Sequence, residues 1–233
     1  GWPDAVRETV PVNATVPAVG PERVADVLAR FPGCTTAQGK VAERGQSLAD
    51  DVARVAAVRD VMGPSAKVRV DANGAWSVDD ALVALRRLSD SGLEYAEQPC
   101  ATVEALRDLR MSLARNGIDV PIAADESIRK AEDPLRVRDL EAADLVVVKV
   151  APLGGVRAAL FVVEACGLPA VVSSALDTSV GISAGVALAA ALPSLEHACG
   201  LGTVALLGGD VVSTSLVPVD GALSAGRVAA DPE

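Results

Sequence analysis

The sequence predicts an α/β fold, a TIM-like (β/α)7β barrel, and three observations favour it. Short apolar runs alternate with longer amphipathic stretches along most of the 233 residues, which is the pattern of repeated βα units. Half of the residues are hydrophobic but only 2% are aromatic, so the core must be aliphatic, as in buried parallel strands. Polar residues stand at the ends of successive apolar runs, where barrels of this type place their active sites.

Eight apolar runs are expected to form the strands, and each gives way to a polar turn and then a helical stretch. The predicted strands are Val12–Val16, Thr35–Val41, Lys67–Asp71, Leu93–Glu97, Pro121–Asp125, Leu145–Val150, Pro169–Ser173 and Leu195–Cys199. The predicted helices are Glu22–Arg30, Ser47–Met62, Val78–Ser89, Val103–Arg115, Pro134–Leu140, Gly155–Ala165 and Ser179–Leu192. Eight strands that alternate with seven helices favour a closed barrel over an open, doubly wound sheet.

The charge of the chain bears on its partners. With 31 acidic and 21 basic residues, the net charge is −10, which disfavours binding to nucleic acid or to anionic membrane surfaces. No apolar run reaches the roughly 18 residues of a membrane span, and the N-terminus lacks the pattern of a secretory signal. We therefore expect a cytoplasmic protein that acts on a small molecule. The oligomeric state is left open.

Six polar residues end or nearly end six consecutive predicted strands. They are Lys40, Asp71, Glu97, Asp125, Lys149 and Ser173, and successive members are 24 to 31 residues apart. Because this spacing is the length of one βα unit, a barrel would bring all six to one mouth. Three crowded carboxylates repel one another unless a cation neutralises them. Oxygen ligands without Cys or His favour Mg²⁺, with Mn²⁺ able to substitute.

The two lysines add a base to this predicted metal site. Lys40 and Lys149 come from strands two and six and are expected on either side of a bound substrate. Burial and a nearby cation would both lower a lysine pKa, so that the neutral amine can accept a proton. Removal of a proton beside a carboxylate needs this combination, because the resulting enediolate must be stabilised as it forms.

Six motifs, in this order, resemble those of the o-succinylbenzoate synthase family, in the muconate-lactonizing-enzyme-like branch of the enolase superfamily. They are TTAQGKVAERGQ, VRVDANGAW, YAEQP, IAADES, DLVVVKV and GLGTVALLGGDVV, and the similarity runs from about Val12 to Val212. The resemblance implies that Asp71, Glu97 and Asp125 bind the metal. It further implies that Lys40 is the general base and then the acid, and that Lys149 faces it across the substrate.

The resemblance also implies a reaction and a set of substrate contacts. Members of this family carry out the Mg²⁺-dependent dehydration of 2-succinyl-6-hydroxy-2,4-cyclohexadiene-1-carboxylate to o-succinylbenzoate, a step of menaquinone biosynthesis. Asn73 is expected to support the site beside Asp71. Ser173 and Ser174 would bind the succinyl group or cap the next turn, and Gly200 and Gly202 would present backbone to a substrate carboxylate.

The chain departs from the family pattern in two ways. The family has Lys-x-Lys on strand two, whereas this chain reads Gln38-Gly39-Lys40, so Gln38 can donate a hydrogen bond but carries no charge. Members also have an N-terminal α+β capping domain, most of which is absent from this chain. We expect residues 1–11 to be the remainder of that connection, residues 12–212 the barrel, and residues 213–233 a segment that packs on the barrel or cap. An N-succinylamino acid racemase, a dipeptide epimerase and a catalytically weak metal-binding barrel remain alternatives.

Overall fold

Seven parallel strands form one sheet in a computed structural model that describes residues 2–129 and 134–232. The strands of the described residues are β1 (Thr9–Pro11), β2 (Ala14–Val16), β3 (Thr36–Lys40), β4 (Lys67–Asp71), β5 (Leu93–Glu97), β6 (Ile122–Ala124), β7 (Leu145–Lys149), β8 (Ala170–Ser173) and β9 (Ala222–Ser224). Strands β2 to β8 pair in chain order, each with the next and all parallel. This order is that of a (β/α)7β barrel, as the alternation of runs predicts.

The barrel closes through two residues in place of the expected strand Leu195–Cys199. Cys199 forms a single parallel bridge to Val12, and Gly200 forms one to Ser173. The amide of Gly200 donates to the carbonyl of Val172 at 2.9 Å. Residues 195–198 form no strand, and the Ala198 carbonyl accepts from Arg69 at 2.7 Å instead of from a neighbouring strand. The prediction of a regular eighth strand was therefore wrong, although its position in the barrel was right.

Helices follow the strands as the amphipathic pattern predicts. They are α1 (Val24–Leu28), α2 (Leu48–Met62), α3 (Val78–Leu88), α4 (Val103–Arg115), α5 (Glu126–Arg129), α6 (Leu135–Asp139), α7 (Val156–Cys166) and α8 (Ser179–Ala191). Their first turns are set by local capping: Ser47 and Asp50 form a capping box at α2, and Ser77 and Thr102 cap α3 and α4. The short helix α5, directly after Asp125, was not predicted. None of the helices in the described ranges is both long and apolar enough to cross a bilayer.

A second, two-stranded sheet joins the two ends of the chain. Strand β1 pairs antiparallel with β9, with Thr9 opposite Ser224. The turn before β9 requires Gly221, which has a φ of +73°, and a Cβ atom added there would lie 2.4 Å from the carbonyl oxygen of Gly33. This pairing holds the C-terminal segment beside the start of the barrel.

Apolar side chains fill the barrel below its mouth. Tyr95, Ala123, Leu145, Val147 and Val171 form a buried cluster of their own, separate from the larger core that includes the helices. Because side chains alternate along a strand, each of these residues lies two or four positions before the polar residue at or next to the end of its strand. The mouth therefore rests on a packed, water-excluding floor.

Candidate active site

The sheet register brings the predicted site residues together at the mouth. Lys40 lies opposite Asp71, and Asp71 lies opposite Glu97, so three adjacent strands end side by side. Asp125 directly follows β6. On the far side of the barrel, Lys149 lies opposite Ser173.

One lysine contacts each end of the row of acids. The Nζ of Lys40 lies 2.5 Å from Asp71 Oδ2 and 2.7 Å from Asn73 Oδ1. The Nζ of Lys149 lies 2.5 Å from Asp125 Oδ2. The side chain of Lys40 is 35% exposed, whereas that of Lys149 is only 10% exposed. Lys40 is therefore open to a molecule in the mouth, and Lys149 is held in the wall.

Glu97 lies in the middle of the row and is nearly inaccessible to solvent. Its Oε2 accepts a hydrogen bond of 2.9 Å from Nε2 of Gln38. Burial, and then the charges of Asp71 and Asp125, raise the pKa of Glu97 well above its ordinary value. The crowding of the three acids therefore disfavours the charged form of Glu97.

The pKa of Lys40 differs from the expectation. Burial lowers it, but the charges of Asp71, Glu97 and Glu126 and a hydrogen bond to Asp71 outweigh burial, so the pKa is raised above its ordinary value. The expected decrease assumed that a cation already neutralised the acids. In their present arrangement, the acids hold the proton on Lys40 instead.

Asn73 lies between Asp71 and Glu126 at this side of the mouth. Its amide N–H donates to Asp71 Oδ1 at 2.9 Å. Its Nδ2 lies 3.3 Å from Glu126 Oε1. The left-handed backbone of Asn73, with a φ of +46°, aims these groups at Asp71, and Asn tolerates this conformation better than most residues.

Sequence reasoning missed Gln98, which positions two of the acids. Gln98 is fully buried, and its Oε1 accepts from the amides of Asp125 at 2.9 Å and Ser127 at 3.2 Å. Its Nε2 donates to the Cys100 carbonyl and to Ser127 Oγ, each at 2.8 Å. All four hydrogen-bonding positions of the amide are used, so Gln98 fixes the chain after Glu97 to the chain around Asp125. The only signal in the sequence was its place beside Glu97.

Among the predicted substrate-contacting residues at and after the end of β8, Ser174 helps to hold the segment around Gly200 and Thr203. Ser174 Oγ donates to the Gly200 carbonyl at 2.8 Å and lies 2.8 Å from Thr203 Oγ1. The space beside Gly200 is occupied by the Ser173 hydroxyl, and Gly202 packs against Pro218. Of this group, Ser173 has the clearest link to the site, because the register sets it opposite Lys149.

His197 and Cys199, two positions apart beside the last bridges of the barrel, have structural roles. His197 Nδ1 lies 2.8 Å from Glu94 Oε1, and its ring meets Tyr95 edge to face. Cys199 is buried, and burial raises the pKa of its thiol to about 11. The two side chains therefore do not form a reactive pair.

The acids fit a divalent cation by their chemistry. Asp71, Glu97 and Asp125 are each at most 2% exposed and supply oxygen ligands from three neighbouring strands, as hard cations prefer. In the described ranges, no three Asp, Glu, His or Cys side chains already meet the geometry of a metal site. The lysine ammonium groups instead contact oxygens of Asp71 and Asp125 and offset part of the charge that a metal would neutralise.

Comparison with known proteins gives a consistent result. The model of the family described as enolase C-terminal domain-like matches residues 22–228. The chain is 64% identical over 228 residues to o-succinylbenzoate synthase of Thermobifida fusca (strain YX), covering 98% of this chain and 70% of that protein. It is 62% identical over 231 residues to o-succinylbenzoate synthase of Mycolicibacterium smegmatis (strain ATCC 700084 / mc(2)155), covering 99% and 69%.

Solved structures share the fold at lower identity. A substrate-liganded complex of the L-Ala-D/L-Glu epimerase from Bacillus subtilis superposes with a TM-score of 0.83 at 28% identity, covering 95% of this chain and 62% of that one. Muconate cycloisomerase from Pseudomonas fluorescens superposes with a TM-score of 0.81 at 29% identity, covering 96% and 62%. The chain thus spans 62% of the length of each of these two structures, and 70% and 69% of the two synthases.

Proposed function

The chain belongs to the enolase C-terminal domain-like family, and from this premise we propose that it is the catalytic barrel of an o-succinylbenzoate synthase. The observation that carries the proposal is the row of three buried carboxylates with a lysine bound at each end. The high identity to proteins named o-succinylbenzoate synthase supports the choice of reaction. The reaction is the dehydration of 2-succinyl-6-hydroxy-2,4-cyclohexadiene-1-carboxylate to o-succinylbenzoate in menaquinone biosynthesis.

In this proposal Lys40 is the general base and then the general acid. Its greater exposure lets it reach a substrate in the mouth. The amine removes the proton beside the ring carboxylate, which gives an enediolate, and returns that proton to the departing hydroxyl. Both groups must lie on the face of the ring that Lys40 meets, because one amine serves both.

Lys149 has a different role because it is nearly buried and bound to Asp125. A fixed ammonium group in a dry wall stabilises negative charge that develops on the substrate. It also holds the substrate against Lys40 from the opposite side. Ser173, its neighbour in the sheet, and Ser174 are assigned to the succinyl end of the substrate, together with backbone at Gly200 and Gly202.

Members of this family depend on a divalent metal ion, and we assign Mg²⁺ here, with Mn²⁺ as a substitute. Asp71, Glu97 and Asp125 would hold it, with Asn73 and Gln38 as supporting neighbours. The bound ion would stabilise negative charge on the substrate carboxylate as the proton leaves. Lys40 must lose a proton to act as a base. Asp71 and Glu97, two of the acids that now raise its pKa, are among those that the ion would neutralise.

A racemase or epimerase acting on N-succinylamino acids or dipeptides is the second candidate. Two lysines on opposite sides of one mouth suit the transfer of a proton between two faces of a carbon atom. The fold similarity to the L-Ala-D/L-Glu epimerase favours it as well. A catalytically weak metal-binding barrel is the third candidate, suggested by Gln38 in place of a lysine.

The test is an assay for loss of the cyclohexadiene substrate, with and without Mg²⁺, and a parallel assay for racemisation of N-succinylamino acids. Lys40→Ala should reduce kcat for synthesis by about a hundredfold to ten-thousandfold, the range for loss of a general acid–base. Lys67→Ala is the matched control, because Lys67 starts β4 at the other end of the barrel and pairs with Glu94. Near-parental turnover by Lys40→Ala would reassign the base to Lys149, and racemisation without synthesis would favour the second candidate.

A further inference from the structure

A buried ion pair on α2 lies directly behind Lys40. Arg54 and Asp51 are 1% and 2% exposed, and Arg54 Nη1 lies 2.9 Å from Asp51 Oδ1. The same nitrogen donates to the carbonyl of Lys40 at 2.7 Å. Arg54 Nε donates to the carbonyl of Val19 at 2.7 Å. One guanidinium therefore joins the end of β3 to the loop that follows β2.

The pair also fixes the turn after Lys40. Asp51 Oδ2 accepts from the amide of Ala42 at 2.9 Å, and Ala42 has a left-handed φ of +58°, which costs energy for a residue with a Cβ. Arg54 Nη2 donates to Gln46 Oε1, and Gln46 Nε2 donates to the Ala18 carbonyl at 2.8 Å. Residues 18–19 and 40–46 thus form one clasped unit at the mouth.

The position of Arg54 on its helix accounts for this reach. Side chains of a helix point toward its N-terminus, and α2 begins at the mouth, just after the turn that Arg54 contacts. A buried ion pair adds little net stability compared with apolar packing of similar volume. The Arg54–Asp51 pair instead makes directional hydrogen bonds to three backbone groups. These bonds, rather than a gain in stability, explain why a buried ion pair is found here.

We propose that Arg54 and Asp51 are positioning residues for Lys40. They hold the backbone of Lys40 in place. They also connect it to the loop after β2, so that a displacement of one segment would displace the other. This inference rests on the proposed role of Lys40 as the base. Within the described part of the chain, the hydrogen bonds and ion pairs made by Arg54 and Asp51 do not include the acids in the row, so their effect reaches the reaction through Lys40 and the adjoining loops.

The kinetic test compares two arginines of the same helix. Arg54→Lys keeps a positive charge near Asp51 but cannot reproduce the planar fork. Arg59→Lys is the matched control, because Arg59 donates to backbone carbonyls of Ser91, Gly63 and Ala66 at the opposite end of α2. Arg54→Lys should lower kcat by about tenfold to a hundredfold with KM little changed, as expected for misplacement of a reacting group. Arg59→Lys should lower the unfolding midpoint but leave kcat within about twofold of the parent.

Hydrogen exchange of backbone amides tests the clasp without relying on activity. Arg54→Lys, and Asp51→Asn as a second variant, should speed exchange in residues 41–46 and leave residues 63–66 unchanged, and Arg59→Lys should do the reverse. Unchanged exchange at 41–46 overturns the proposal, as does a fall in kcat no larger than that of Arg59→Lys. A parent protein without synthase activity would refute the proposed function. The exchange comparison would still test whether Arg54 and Asp51 hold residues 41–46 in place.

Discussion

Acid should remove a specific part of the stability of this barrel through Glu94, which lies on β5 beneath the mouth. Its Oε1 lies 2.8 Å from His197 Nδ1 and 3.0 Å from Lys67 Nζ, and its Oε2 lies 2.5 Å from Arg69 Nε. The side chain is only 10% exposed. Burial alone would raise the pKa of Glu94, but hydrogen bonds and charges from these three residues lower it to about 2 from an ordinary 4.5.

The size of the effect follows from that difference. About 2.5 pH units, at about 1.4 kcal/mol for each unit, correspond to roughly 3 kcal/mol of free energy of unfolding. Because the pKa is lower in the folded state, the contribution is complete above about pH 5 and is lost as the pH falls toward about 2. About half of it should remain near pH 3.

Urea unfolding of the parent and of Glu94→Gln at several values between pH 7 and pH 2.5 measures this contribution. Glu94→Gln keeps the shape of the side chain but not its charge, so the difference in free energy of unfolding between the two proteins should narrow on acidification. Between pH 7 and pH 2.5 the narrowing should reach about 2.5 kcal/mol. Parallel pH profiles for the two proteins would refute the assignment of this stability to Glu94 and its three partners.

Three further results are expected at the mouth. Asp125→Asn should weaken Mg²⁺ binding by about tenfold or more in calorimetry. The reason is that loss of a charged metal ligand should cost more than loss of a residue that only hydrogen-bonds to a ligand. Unchanged affinity would remove Asp125 from the metal site. Gln98→Met should lower the free energy of unfolding by about 2 to 4 kcal/mol in urea, because it leaves the buried amides of Asp125 and Ser127 without their acceptor, and a loss below about 1 kcal/mol would contradict this account. Gln38→Lys, in a protein that also carries the capping domain, should raise turnover in the synthase assay, because a second ammonium group favours the neutral form of Lys40. Equal or lower turnover would show that Gln38 does not limit catalysis.

The site could be predicted in outline because its spacing repeats along the chain. Each βα unit returns the chain to the same end of the barrel, so the positions of Asp71, Glu97 and Lys149 follow from run lengths alone. The sheet register then aligns Lys40, Asp71 and Glu97 side by side. No long-range information was needed for this step, since all of these strands pair with their neighbours in sequence.

Features that depend on distant contacts could not be predicted in the same way. At residues 195–199, where no regular strand forms, the Ala198 carbonyl binds Arg69, which lies 129 positions earlier in the chain. The pairing of β1 with β9 joins three-residue strands from the two ends of the chain, too short to give a pattern. The role of Gln98 depends on a left-handed backbone, with a φ of +36°, that its sequence neighbours do not signal.

The alternation of side chains that directs the acids toward the mouth also explains why lysines contact them. Two positions below Glu97 the inward side chain is Tyr95, and Ala123 lies two positions below Asp125, so the next layer down is packed and dry. Arg69, a cation buried in that region, is already bound to Glu94. Charge that neutralises the row must therefore come from the mouth itself, either from Lys40 and Lys149 or from an ion and a substrate that enter there. If Asp71 and Asp125 bind the metal as we propose, the lysines and the cation would compete for the same carboxylate oxygens. This competition would couple metal binding to the release of Lys40 for chemistry.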